Sequence, residues 1–156
     1  MAIRIIRLDD DPILRKKSRR VESFDSKLWA LLDDMRDTLA KADGAGLAAV
    51  QVGVLKRVVV IDCSEEYGYL ELINPEIIAS EGKQLEYEAC LSLPHKQGIT
   101  MRPMCVKVKA QDRNGQWHEY SGSELLARCF CHELDHLDGV VFTDRIAPGE
   151  AVEYME

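Results

Sequence analysis

The chain has 156 residues, 46% of them hydrophobic and 30% charged, which suits one soluble globular domain, read here as 1–156. A net charge of −7 argues against nucleic acid as the main ligand. Five cysteines, an odd number, argue against a disulfide framework and for a reducing cytoplasm.

The N-terminal run is broken by Arg4 and Arg7 and followed by Asp9, Asp10 and Asp11, so no signal peptide is expected. No apolar run approaches the length needed to span a bilayer. Pro12 opens a turn that leads into a basic stretch, residues 15–20, read as a solvated turn offsetting the acidic run. Leu28, Leu31, Leu32, Met35 and Leu39 recur at spacings of three and four, which predicts a packing helix from about Ser26 to Ala42, with Gly44 as its terminator. Residues 44–51 follow as Gly-Ala-Gly-Leu-Ala-Ala-Val-Gln. The two glycines allow close backbone approach, but no strand precedes them and the spacing is not that of a dinucleotide fingerprint. Gln51 closes this apolar run, and if buried its amide must find partners.

Strands are expected at residues 57–62, at 70–74 up to Pro75, around Ile77 and Ile78, and around 83–87. Met104, Val106, Val108 and Ala110 alternate with polar residues, and Asn114-Gly115 turns this strand into another at 116–120. Several strands before a late helix, without β-α alternation, give an α+β class: short antiparallel or mixed sheets around one helix.

That helix is the informative one. Ser121 and Glu124 have the spacing of a capping box and Gly139 suits the C-terminal stop. Between them His132 and His136 lie one turn apart on the apolar face, with Glu133 beside them. Two imidazoles at this spacing can hold one metal ion, and the carboxylate can handle the proton of a water. A third ligand is needed. Cys129 and Cys131 are about 200° apart around the helix and cannot share one metal. Cys131 points away from the histidines, and Cys129 is placed to line a pocket. Cys63 and Cys105 read as small buried hydrophobes. Cys90 is the better choice, in an extended segment where Glu88, Cys90 and Ser92 share a face and Pro94 keeps Leu93 out of the helical region. No histidine follows His136, which weakens a generic zinc endopeptidase.

Three motifs in order, G-x-G-L-A-A-x-Q at 44–51, E-x-C-L-S-x-P at 88–94 and H-E-x-D-H-L-x-G at 132–139, resemble those of bacterial-type peptide deformylases. Ala89 departs from the glycine common in the second motif. The resemblance implies a metal-dependent hydrolase that removes the N-formyl group from the formylmethionine of nascent polypeptides. Cys90, His132 and His136 would bind one divalent ion, natively Fe2+ in many relatives, with Zn2+, Ni2+ or Co2+ able to substitute. Glu133 would move protons, while the Gln51 amide and the Leu91 N–H would meet the oxyanion. The peptide would lie as an added strand between Gly44, Gly46 and the Leu91 segment, with its methionine near Cys129 and the stem of Arg128. Glu88, with Arg102 as partner, would support the ligands from behind.

The long basic final helix through which relatives are thought to dock on ribosomal RNA has no counterpart here, and Glu150, Glu153 and Glu156 make the tail acidic. At most weak ribosome association is therefore expected, with no membrane and no specific nucleic acid as partner. Two other classes fit the motifs less well. One is a different amidase or peptidase on the same triad. The other is a non-catalytic module stapled by metal, which would want a fourth protein ligand.

Overall fold

The computed structural model describes residues 2–155, so Glu156 of the acidic tail lies outside them. Helix α1 runs Ser26–Ala42, started by Asp25, whose carboxylate accepts from the Leu28 N–H. Strands β1 (Gly46–Ala48), β2 (Val58–Asp62), β3 (Tyr69–Glu81), β6 (Cys105–Gln111) and β7 (Trp117–Ser123) form one antiparallel sheet in the order β1-β2-β3-β6-β7. A second sheet joins β4 (Gln84–Cys90), β5 (Leu93–Arg102) and the short β8 (Glu153–Tyr154) in the order β4-β5-β8. Helix α2 (Leu125–Leu137) lies between the two sheets, which is the α+β arrangement expected.

The unbroken apolar run of β2 has a simple cause: the strand is buried on both faces. Val58 and Val60 pack with Leu28, Leu32, Met35 and Leu39 of α1, while Val59 and Ile61 pack with Ala127, Phe130 and Leu137 of α2. Each fully buried Val or Leu of this kind is worth about 1.5–3 kcal/mol. Together these contacts fix α2 against the sheet. On its other side, Cys90 and Leu93 pack against Val141, Phe142 and Ile146 and close the smaller sheet over the helix C-terminus.

Three local expectations are corrected. Helix α1 is ended by Asp43, which adopts the left-handed conformation (φ 54°, ψ 41°), so Gly44 is not the terminator. Aspartate tolerates that region better than most residues. Pro75 does not halt a strand, because β3 continues through it to Glu81 and absorbs Ile77 and Ile78. The proline sits where the β3–β6 register shifts between Ile73 and Glu76, a bulge that removes the need for its missing N–H. Asn74, at φ 51°, pins that bulge through hydrogen bonds with the Val21 backbone and Gln111. Finally, Ser121 and Glu124 form no capping box. Ser121 is paired with Lys107 inside β7, and α2 begins only at Leu125 with no side-chain cap. Strand pairing with β6 claims the backbone that the cap would have used.

Candidate metal centre and active site

The α2 register places His132, Glu133 and His136 between the sheets, and the end of β4 delivers Cys90 to the same point. One ligand atom from each of Cys90, His132 and His136 lies within 4.8 Å of the others. Cys90 Sγ is 3.3 Å from His136 Nε2. The His132 ring is fixed from behind: its Nδ1 is 2.6 Å from Glu88 Oε2. With that nitrogen engaged by a carboxylate, Nε2 is left to face the thiol. Thr100 Oγ1 donates to Glu88 Oε1 at 2.8 Å, and Arg102 donates to both Glu88 oxygens. The other arm of Arg102 donates to Asp135 at 2.6 Å, and Arg145 also donates to Asp135. Glu88 and Arg102 thus form a buried pair behind His132. Thr100 and Asp135 were not anticipated, although Asp135 stands inside the H-E-x-D-H motif.

The electrostatics of the triad suit a cation. Burial opposes charge on His132, yet Glu133, Cys90 and Glu88 around it outweigh that and hold its pKa well above the usual value. Burial and the neighbouring His132 hold His136 well below it. A site that favours positive charge among a thiol and two carboxylates is one a divalent ion can satisfy. Glu133 Oε1 and His136 Nδ1 are both buried without a hydrogen-bond partner among the described residues. Such an atom on Glu133 commonly marks a site completed by something else, whereas His136 Nδ1 lies across the ring from the Nε2 that meets Cys90. The donor set of one sulfur and two ring nitrogens fits zinc, iron, cobalt or nickel.

Gln51 is 1% exposed and its amide orientation is set by its neighbours. Its Oε1 accepts from the Ala48 N–H at 2.9 Å, so Nε2 must face the other way. There it donates to Ser92 Oγ at 3.0 Å and approaches Cys90 Sγ at 3.6 Å. Burial pushes the Glu133 carboxyl up to about 7. A Cβ on Gly46 would meet Glu133 Oε2 at 2.8 Å, so this glycine leaves the space in which the carboxylate stands. A Cβ on Gly44 would meet Leu91 Cδ1 at 2.9 Å, which brings the first and second motifs into contact. Leu91 lies in the turn joining β4 to β5. Arg128 and Cys129, one helical turn before His132 and Glu133, are held by other groups: Arg128 donates to Gln84 Oε1 at 2.7 Å, and Cys129 Sγ is 3.2 Å from Cys63 Sγ. Leu125, on the same stripe, is exposed at the head of the helix. A depression of about 510 Å³, lined by Ala79, Cys105, Lys107, Ser121 and Leu126, contains none of Cys90, His132 and His136.

The sequence model of polypeptide deformylases matches residues 3–152. The chain belongs to the polypeptide deformylase family. Its members are hydrolases that remove the N-formyl group from nascent chains. The peptide deformylase of Alkaliphilus metalliredigens is 58% identical over 146 residues, covering 94% of this chain and 98% of that one. Among solved structures, a peptide deformylase from Thermotoga maritima superposes with a TM-score of 0.91 at 38% identity, covering 95% of this chain and all of that one. A peptide deformylase from Legionella pneumophila superposes with a TM-score of 0.89 at 43% identity, covering 94% and 88% of the two chains.

In this deformylase fold the support behind His132 has a measurable consequence. Burial raises the Glu88 carboxyl, but the hydrogen bonds from His132 and Arg102 prevail and hold it at about 2, below its ordinary 4.5. A depressed folded-state pKa stabilises above the unfolded value and is lost as pH falls toward the folded one. The stabilisation from Glu88 should therefore be complete above pH 4.5 and disappear as pH drops through about 2. Glu88→Ala should weaken metal affinity by about 10- to 100-fold, because His132 Nδ1 loses the partner that orients the ring. Competition with a chelator measures this, and unchanged affinity would show that packing alone orients His132.

Proposed function

We propose that this chain is an iron-dependent cytoplasmic deformylase acting on N-formylmethionyl peptides and nascent chains. The observation that carries the reading is the convergence of Cys90, His132 and His136 with Gln51 Nε2 on Cys90 and the Glu133 carboxylate alongside. Cys90 Sγ and the two histidine rings would hold one divalent ion, natively Fe2+, with Zn2+, Ni2+ or Co2+ as substitutes. When bound, such an ion supplies a Lewis acid that polarises the formyl carbonyl and acidifies a water.

The chain's own residues account for the rest. Glu133, with a carboxyl raised to about 7 by burial, can take a proton from the attacking water and return it to the departing amine near neutral pH. Gln51 Nε2 and the Leu91 N–H would donate to the oxygen that becomes negative. Strand β1 ends the five-stranded sheet, so the peptide backbone can add beside residues 44–46 through bonds that ignore sequence. The methionine side chain would rest near Cys129 and the Arg128 stem.

Metal-loaded protein should hydrolyse formyl-Met-Ala and leave acetyl-Met-Ala and internal peptide bonds intact. Prepared without oxygen it should contain iron, lose activity in air, and recover oxygen-stable turnover with nickel. Cleavage of the acetyl or internal bond would replace the deformylase reading with a broader amidase or peptidase. Equal air stability of the iron and zinc forms would remove the preference for iron.

No helix among the described residues is long and apolar enough to cross a membrane. Ribosome association should be weak, since the chain carries a net charge of −7 and Arg15 of the basic stretch is already paired with Asp144. Co-sedimentation that resists near-physiological salt would show another docking surface.

A further inference from the structure

Two thiols outside the metal triad meet where the end of β2 reaches α2. Cys63 follows β2 directly, and its neighbour Asp62 donates its N–H to the Ala45 carbonyl at 2.8 Å, beside Gly46. Cys129 stands one turn before Glu133 on α2. Though 66 residues apart in sequence, their sulfurs are 3.2 Å apart, inside ordinary sulfur contact, and both are free thiols. Their surroundings differ in a useful way. Cys63 is half-buried and reachable, whereas Cys129 is buried. The hydrogen bond shared with Cys129 brings the Cys63 thiol down, and that bond together with burial pushes Cys129 up. The more acidic and accessible thiol is the one an oxidant meets first.

We propose that Cys63 and Cys129 form a reversible thiol–disulfide site that hydroperoxides oxidise and that tightens the substrate side of the catalytic helix. The Cys63 thiolate attacks one peroxide oxygen, the O–O bond breaks, and hydroxide leaves, giving a sulfenic acid on Cys63. The Cys129 sulfur then displaces hydroxide from that sulfenic acid, and its proton leaves with the hydroxide as water. In total two thiols are oxidised, one hydrogen peroxide is reduced, and two waters form. The sulfurs need to close from 3.2 Å to about 2.05 Å. That movement draws the Asp62–Cys63 segment toward α2. Through the Asp62–Ala45 hydrogen bond it also draws the backbone beside Gly46 toward Glu133. Little slack exists there, since even a Cβ on Gly46 would meet Glu133 Oε2 at 2.8 Å. Displacements of this size near reacting groups cost rate steeply.

The test uses zinc-loaded protein, so that iron oxidation does not intervene, treated with near-stoichiometric hydrogen peroxide and then alkylated. Peptide mass mapping should find residues 63 and 129 cross-linked and two hydrogens lighter, whatever the enzyme's substrate. On formyl-Met-Ala, kcat/KM should fall about tenfold or more and return with dithiothreitol. Cys63→Ser, or Cys63→Ala where serine perturbs the loop, should keep basal activity and retain it in peroxide. The proposal fails if both thiols are still alkylated after treatment, if the disulfide forms without a change in kcat/KM, or if the Cys63 variants lose activity as fast as the parent. Absence of formyl turnover in untreated protein would instead count against the deformylase reading, and the mapped cross-link would stand apart from it.

Discussion

Glu133→Gln is expected to retain its metal and lose at least about a hundredfold in kcat. The glutamine has the shape of the glutamate, so it fits the space that Gly46 leaves open and creates neither cavity nor clash. What it lacks is a basic oxygen. Glu133 Oε1 is buried with no partner among the described residues, so no protein group competes for the proton it is to accept. Its Oε2 is 3.9 Å from His132 Nε2, on the side of the proposed metal site yet outside hydrogen-bond range. Metal content by elemental analysis separates the two roles a carboxylate here can have. Loss of the ion in the variant would make Glu133 a ligand, and retained turnover would mean that another group moves the proton.

The pairing of His132 with His136 was legible because their spacing is a local property. A helix alone fixes His132 against His136, and the apolar stripe on the same helix says which way they face. The strand β2 and the α1 periodicity were readable for the same reason. What escaped depends on pairing across strands. Thr100 reaches Glu88 only because β4 and β5 pair in the register that sets Glu88 opposite Gly98. Ser92 reaches Gln51, and Cys63 reaches Cys129, only once separate elements have docked. The false capping box at Ser121 has the same origin: its local signal is real, but pairing with Lys107 in β6 overrides it. Pro75 misled in the opposite direction, because a bulge allows a strand to continue where the residue type argues for a stop.

Gln51→Ala should reduce kcat by about a hundredfold or more with a smaller effect on KM, since a donor to a developing oxyanion acts mainly in the transition state. The structure adds a cost that the sequence did not reveal. Gln51 Oε1 is the acceptor for the buried Ala48 N–H, so truncation leaves that donor without its partner, at about 1–3 kcal/mol. The variant should therefore melt somewhat lower as well as turn over slowly. The two effects are separable, because assays well below the new melting temperature report only the folded enzyme. The same Ala48 bond that makes the substitution destabilising is what aims Nε2 at Cys90 and Ser92. Removal of Ser92 Oγ alone, as Ser92→Ala, leaves that aim in place and should cost much less in kcat than Gln51→Ala. Normal turnover in Gln51→Ala, assayed well below its lowered melting temperature, would reduce Gln51 to a buried hydrogen-bonding residue of the core.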